Sequence, residues 1–151
     1  MADSTLIQSV IIGATADQSH RRQIETFLAG GTIAAGDVVS SEPSKTGADK
    51  ALYVIQAANV ATGNALAIGV ALDAAAAGDR IRVVVSGYVE GVNCTAGTIG
   101  AAGLALSAGK GAAGQVNASA NTDLAGCFGV SLEAKGATMP DRVAMMVKPQ
   151  F

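Results

Sequence analysis

The chain of 151 residues is long enough for one domain with a modest core and leaves little room for a second. Half of its residues are hydrophobic, yet much of that half is alanine; aromatics make up 3% and charged residues 15%, against about 25% in ordinary soluble domains. The net charge of −2 speaks against a nucleic-acid partner, no apolar run reaches membrane-spanning length, and the start at Met1 has neither the basic stretch nor the hydrophobic core of a signal peptide.

Alanine adds little buried area, so a chain this poor in large side chains is thinly stabilised alone. Burial of further surface by oligomerisation is one remedy. The 19 glycines recur between short apolar runs, which is the punctuation of an all-β protein rather than of a helical bundle.

Residues 1–30 stand apart as an N-terminal arm. They run from a β-like stretch, Leu6–Ile12, into a polar segment, Asp17–Leu28, that reads as a short helix or an extended arm. The pair Gly30 and Gly31 closes it. Residues 31–151 then form a single β domain.

Within that domain lies an approximate internal repeat, about 33–92 and 99–151. Gly69–Ala74 (GVALDA) is echoed sixty residues later by Gly129–Ala134 (GVSLEA). A turn follows each copy, and Asp79–Val85 (DRIRVVV) is then echoed sixty-two residues later by Asp141–Val147 (DRVAMMV). Ile33–Val39 is loosely matched by Ile99–Leu106. Alternation puts Leu66, Ile68, Val70 and Leu72 on one strand face, with Phe128, Val130 and Leu132 at the matching places of the second copy. The next strands place Ile81, Val83 and Val85 on one side, matched by Val143, Met145 and Val147, while Arg80 and Arg82 point the other way. These residues, Leu66 aside, are the expected core of an antiparallel barrel or sandwich with one face of each strand inward. Ala74–Ala77 has helix propensity, but four residues between two β-patterned runs cannot sustain a helix, and the segment reads as a turn.

Residue types that carry chemistry are few and scattered. His20 has no second histidine with which to share a metal, and its neighbours Arg21 and Arg22 suggest a solvated or interface-facing arm. Gly109-Lys110-Gly111 fails as a phosphate loop, because Leu104 occupies the first glycine position and Gly111 replaces the hydroxyl residue. A hairpin turn with an exposed lysine is the better account. Asp79 and Asp141 read as residues whose carboxylates accept a turn amide at the entry to the next strand. Cys94 and Cys127 form no metal or redox motif and read as buried free thiols. Ala48-Asp49-Lys50-Ala51 resembles the lysine turn of lipoyl carrier domains, but the acidic strand that precedes that lysine is absent. No catalytic residue, metal or cofactor is expected.

The stretches Gly36–Val39, Ile68–Leu72 and Gly78–Gly87, with an alanine-rich segment between the first two, resemble a family of small phage head proteins. The resemblance is to the decoration, or cement, proteins of tailed-phage capsids with a β-tulip or small β-barrel body. It covers about residues 31–151. It implies a homotrimer at local threefold positions of an icosahedral shell, assembled in the host cytoplasm, exposed on the virion exterior, and bridging copies of the major capsid protein. Residues 1–30 fall outside it, and their candidate shell contacts are Leu6, Ile7, Val10, Ile11, His20, Arg21 and Arg22. The alternative within the same class is a trimeric head-fibre or tail-adaptor base, although the chain lacks a long shaft-like repeat. A lipoyl-type carrier modified at Lys50 is the distant alternative.

Overall fold

Among the described residues, short apolar runs separated by glycine fold into nine strands and one helical turn. The computed structural model describes residues 22–61, 63–95, 99–109, 111–119, 127–135 and 142–148. In chain order the strands are β1 (Gln23–Ala29), β2 (Val38–Ser41), β3 (Tyr53–Gln56), β4 (Ala67–Ala71), β5 (Arg80–Asn93), β6 (Ala105–Ala108), β7 (Val116–Ala118), β8 (Cys127–Ser131) and β9 (Arg142–Val147). The helical turn α1 (Asp49–Leu52) lies in the connection between β2 and β3.

The strands hydrogen-bond in the order β1-β3-β2-β4-β5-β9-β8-β6-β7, and a further β1–β5 pairing closes the first five into a small barrel. The fold class is all-β. β5 spans 14 residues and serves two rings. Its first half, opposite residues 23–28 of β1 and residues 70–71 of β4, completes the barrel. Its second half pairs with β9 and opens a second ring, β5-β9-β8-β6-β7. An isolated parallel bridge between Cys94 and Val116 brings that ring back on itself.

The repeat is real at the level of register. Val70 stands opposite both Val38 and Val84, and Val130 stands opposite both Ala105 and Met146. Each set has an irregularity at the same place, between Val39 and Ser40 in one ladder and between Leu106 and Ser107 in the other. Thus β2, β4 and β5 correspond to β6, β8 and β9, with the two-residue difference in offset absorbed between β8 and β9. The second half of β5 plays in the second ring the part that β1 plays in the first, since each pairs antiparallel with the repeat-related strand. The bridge partners also correspond, Ile33 with Ala75 and Ile99 with Lys135.

The domain boundary therefore moves. Residues 23–29, placed in the arm by their polarity, form the strand that closes the first barrel. The reason is that β1 lies at an edge over most of its length, so its side chains at 23–26 are exposed and show little alternation. Residues 1–21, which include Leu6, Ile7, Val10, Ile11, His20 and Arg21, lie outside the described residues; Arg22 leads directly into β1 and is half-buried.

The core has two parts, and both faces of the central strands are used. Ile33, Val39, Val54, Ile81 and Val83 fill the first barrel together with Ala29, Ala71 and Ala75. Phe128, Leu106, Ile99, Val116, Val143, Met145 and Val147 fill the second ring, and their cluster continues into a seam with Val38, Val70 and Val84 on the outer face of the first barrel. Ile68 and Val85 are partly buried against the first cluster and Leu72 against the second. Val130 is half-buried. Leu132, expected inside, is 43% exposed. Its counterpart Leu72 is partly buried against the seam, whereas the row beside Leu132 in the second ring is only half-buried among the described residues. The Ala74–Ala77 segment is not helical: Ala75 forms the bridge to Ile33, and the turn follows at Ala77 and Gly78.

A urea titration separates these two kinds of position. Phe128→Ala empties a fully buried site and should lower stability by about 3–5 kcal/mol. Leu132→Ala should change it by less than about 1 kcal/mol. Comparable losses at the two sites would contradict the placement of the core.

Candidate interaction surfaces

Two local motifs of identical sequence, Ala34–Asp37 and Ala76–Asp79, position the acidic groups of the first barrel. In each, the aspartate N–H donates to the carbonyl three residues back at 3.1 Å, and the carboxylate accepts that residue's N–H at 2.9 Å. The third residue is Gly36 or Gly78, at φ of 88° and 92°, the left-handed geometry required there by a type II turn. Asp79 is exposed, and its role ends with the turn. Asp141 lies outside the described residues.

Asp37 does more. It is 4% exposed, and besides the turn amide its carboxylate accepts from Gln56 Nε2 at 2.9 Å and from Asn93 Nδ2 at 2.8 Å. Gln56 ends β3 and Asn93 ends β5, so one carboxylate ties the barrel to the strand that leaves it. Backbone bonds extend the junction: Asn93 N–H donates to Gly36 O, and Val38 N–H to Gly114 O in the β6–β7 connection. A buried carboxylate that accepts from three donors in separate segments is a structural anchor.

The second charged feature is on the surface. Arg82 donates to Asp73 through Nε at 2.8 Å and Nη2 at 2.7 Å. These hydrogen bonds hold the Asp73 carboxyl below its ordinary value of 3.8 and raise Arg82 above its own. The repeat keeps half of this device: Glu133 corresponds to Asp73, and its carboxylate accepts the N–H of Ala144, which stands where Arg82 does. In the β2–β3 connection, Lys45 lies over the Tyr53 ring at 4.4 Å, while the exposed Lys50 sits on α1. Cys94 is buried and Cys127 partly buried, and the two form no disulfide with each other. Gly109 N–H donates to Gln115 O, closing the β6–β7 hairpin turn; Lys110 lies outside the described residues. Among the described residues, no group of three or more His, Cys, Asp or Glu is placed to hold a metal ion.

What the surface offers is apolar contact. Ile24, Leu52, Val60, Leu66, Leu104 and Leu132 are all exposed. Leu52 lies on α1, and Leu132 adjoins the half-buried row Ala105, Val130 and Met146 on the outer face of the second ring. The Asp37 junction escaped notice in the sequence, although the duplicated AAGD motif was a signal for it, and Val130 and Leu132, expected in the core, lie instead on this outer face.

Neither a protein-family model nor a curated protein matches the chain. Among solved structures, the N base of head fiber gp8.5 of bacteriophage phi29 is similar over 84% of this chain and 94% of that chain, with a TM-score of 0.53 and 18% sequence identity. The chain shares the fold of that head fiber base. At that identity the likeness concerns architecture alone, and it spans both rings rather than one.

Asp37→Ala removes the acceptor shared by Ala34 N–H, Gln56 and Asn93, so it should cost about 1–3 kcal/mol in chemical denaturation. A cost within error of zero would mean that the junction does not depend on the carboxylate. For Asp73, whose folded value is depressed, the pair's contribution is complete above the ordinary carboxylate value and is lost as pH falls through the lower folded one. Asp73→Asn should therefore bring a small loss in unfolding midpoint at neutral pH that disappears on the acid side; solvent screening keeps it small. A loss that persisted unchanged into strong acid would sink the assignment.

Proposed function

We propose that this protein is a structural component of a tailed-phage virion that decorates and stabilises the capsid exterior by bridging major capsid proteins at local threefold positions. The observation that carries the reading is the double-ring fold, shared across nearly the full length of a phage head-fiber base. The exposed apolar side chains fit a protein whose work is contact. Many such contacts acting together bind a shell tightly even when each is weak. In this reading the protein acts as a homotrimer with no cofactor and no catalytic step, and residues 1–21 supply an additional hold on the shell.

A second reading of the same kind is the base of a head fibre, which the similarity to the phi29 head fiber base favours directly. A cement protein raises the resistance of the shell, whereas a fibre base need only attach. Purified protein added to empty capsids that lack it should bind to saturation and raise the temperature of shell disruption. Binding without stabilisation favours the fibre base, and no binding removes both readings. A chain lacking residues 2–21 keeps β1 whole, and it should bind shells at least about tenfold more weakly if the arm contributes. Unaltered affinity would assign the arm no role.

A further inference from the structure

The strand that closes the first barrel is used unequally on its two sides. Toward β5, β1 is paired from Gln23 to Leu28, while among the described residues its ladder toward β3 consists of Leu28 and Ala29. Backbone groups of a strand point alternately to its two sides, and the bonds at the end of β1 fix which residues face where. Ala29 N–H donates to Asp79 O on the β5 side, whereas Gly30 N–H donates to Val54 O on the β3 side. Arg82, which stands opposite Thr26, gives its carbonyl to Leu72 N–H on the β4 side of β5, in keeping with that alternation. The N–H and C=O groups of Ile24 and Thr26 therefore point away from β5, on the part of β1 that precedes the β3 ladder. Gln23, Ile24, Glu25 and Thr26 are all exposed. An open strand edge is ordinarily guarded by charge. Here one of the two edge-facing residues is β-branched and apolar: Ile24 is 41% exposed, and it stands opposite Val84, which is fully buried in the cluster that forms the seam.

We propose that this edge is an interface at which β1 of one copy pairs antiparallel with β1 of a second copy, about a two-fold axis at Ile24. The side chains select both the occupant and the register. An axis at Glu25 would set that carboxylate opposite its own copy, and like charges directly opposite each other are destabilising. An axis at Thr26 would require Leu28, which the β3 ladder already holds opposite Tyr53. An axis at Ile24 sets Gln23 opposite Glu25 of the second copy, and Glu25 opposite its Gln23, so that an amide donor faces a carboxylate acceptor on both sides. Within one chain these side chains already meet, Gln23 Nε2 donating to Glu25 Oε1 at 2.8 Å. The amide's second N–H and the carboxylate's other oxygen are then what the second copy engages. On the outer face Ile24 meets its own copy, extending outward the apolar contact that Val84 begins, and Arg22 faces Thr26. Arg22, Ile24 and Thr26 share the parity that points to the edge, so each opposed pair exchanges two backbone hydrogen bonds. Such an isologous contact is complete with two copies. It goes beyond the preceding reading and does not rest on it: a two-fold contact cannot close a threefold ring, and in a homotrimer it would join one trimer to the next.

The test uses the full chain. At about 100 µM the parent should have the mass of an even-numbered multimer. Ile24→Lys sets like charges against each other on the axis, and Thr26→Pro removes an N–H that the β1–β5 ladder does not use. Both variants should keep their β circular dichroism, associate more than about tenfold more weakly, and show half the mass of the parent. If Thr26→Pro lost its β signal, Ile24→Lys would decide alone. Cysteine pairs report the register. Directly opposed residues of a hydrogen-bonded pair have Cα atoms about 5.5 Å apart, within reach of a disulfide, so Ile24→Cys should give cross-linked dimers on mild oxidation. Thr26→Cys should not, because this axis sets Thr26 opposite Arg22; the parent, with Cys94 and Cys127, is the control. A parent that is monomeric or holds an odd number of chains, an Ile24→Lys variant that assembles like the parent, or cross-linking at position 26 rather than 24 would each overturn the proposal. A monomeric parent whose binding to empty capsids is lost in Ile24→Lys would give the edge to a strand of the shell instead.

Discussion

One strand cannot belong to two closed rings unless it changes neighbours part-way along, and that requirement governs this fold. β5 lies opposite β1 and β4 through residue 86 and opposite β9 from residue 87 onward. The second stretch carries an irregularity between Val89 and Val92, with Gly91 at φ 67° between them, which is where a bulge turns a strand. The turn brings Asn93 to Gly36 and to the Asp37 carboxylate. Asp37 is thus placed by the course of β5 as much as by its own tight turn. A carboxylate buried this deeply is tolerated because donors from three separate segments meet it. The junction is polar and directional, while the seam beside it is apolar and adaptable; together they leave the two rings one relative orientation.

The strands of the repeat were legible because a strand with one buried face alternates, and both copies alternate in step. Ile81, Val83, Val143, Met145 and Val147 are buried for that reason. What alternation cannot convey is that the opposite face is buried as well. Val84 shares its face with Arg80 and Arg82, and the arginines disguise a fully buried position. Leu132 fails in the other direction: its pattern is that of Leu72, but Leu72 is partly buried against the seam and Leu132 stands beside a half-buried row. β1 was hidden because polar Gln23, Glu25 and Thr26 are what an exposed edge requires. The Asp37 junction was beyond local reading, since its side-chain partners lie 19 and 56 residues away.

The composition also acquires a cause. A five-stranded ring is narrow, and its interior has room for only a few modest side chains. Ala29, Ala71 and Ala75 lie inside the first barrel beside valine and isoleucine. The abundance of alanine, which taken alone suggests a weak core, is in part the filling that so small a ring demands. Larger residues are concentrated where two surfaces meet: Phe128, Leu106 and Met145 belong to the cluster that spans the second ring and the seam.

Duplication of a ring that uses its outer face in this way has a structural consequence. In the first barrel Val38, Val70 and Val84 are buried in one cluster with residues of the second ring, while among the described residues the matching row of the second ring is half-buried. Where the repeats still correspond, the same register therefore serves two environments, a closed seam in the first barrel and a half-buried outer row in the second ring, and the side chains at matched positions differ accordingly: Val38, Val70 and Val84 against Ala105, Val130 and Met146.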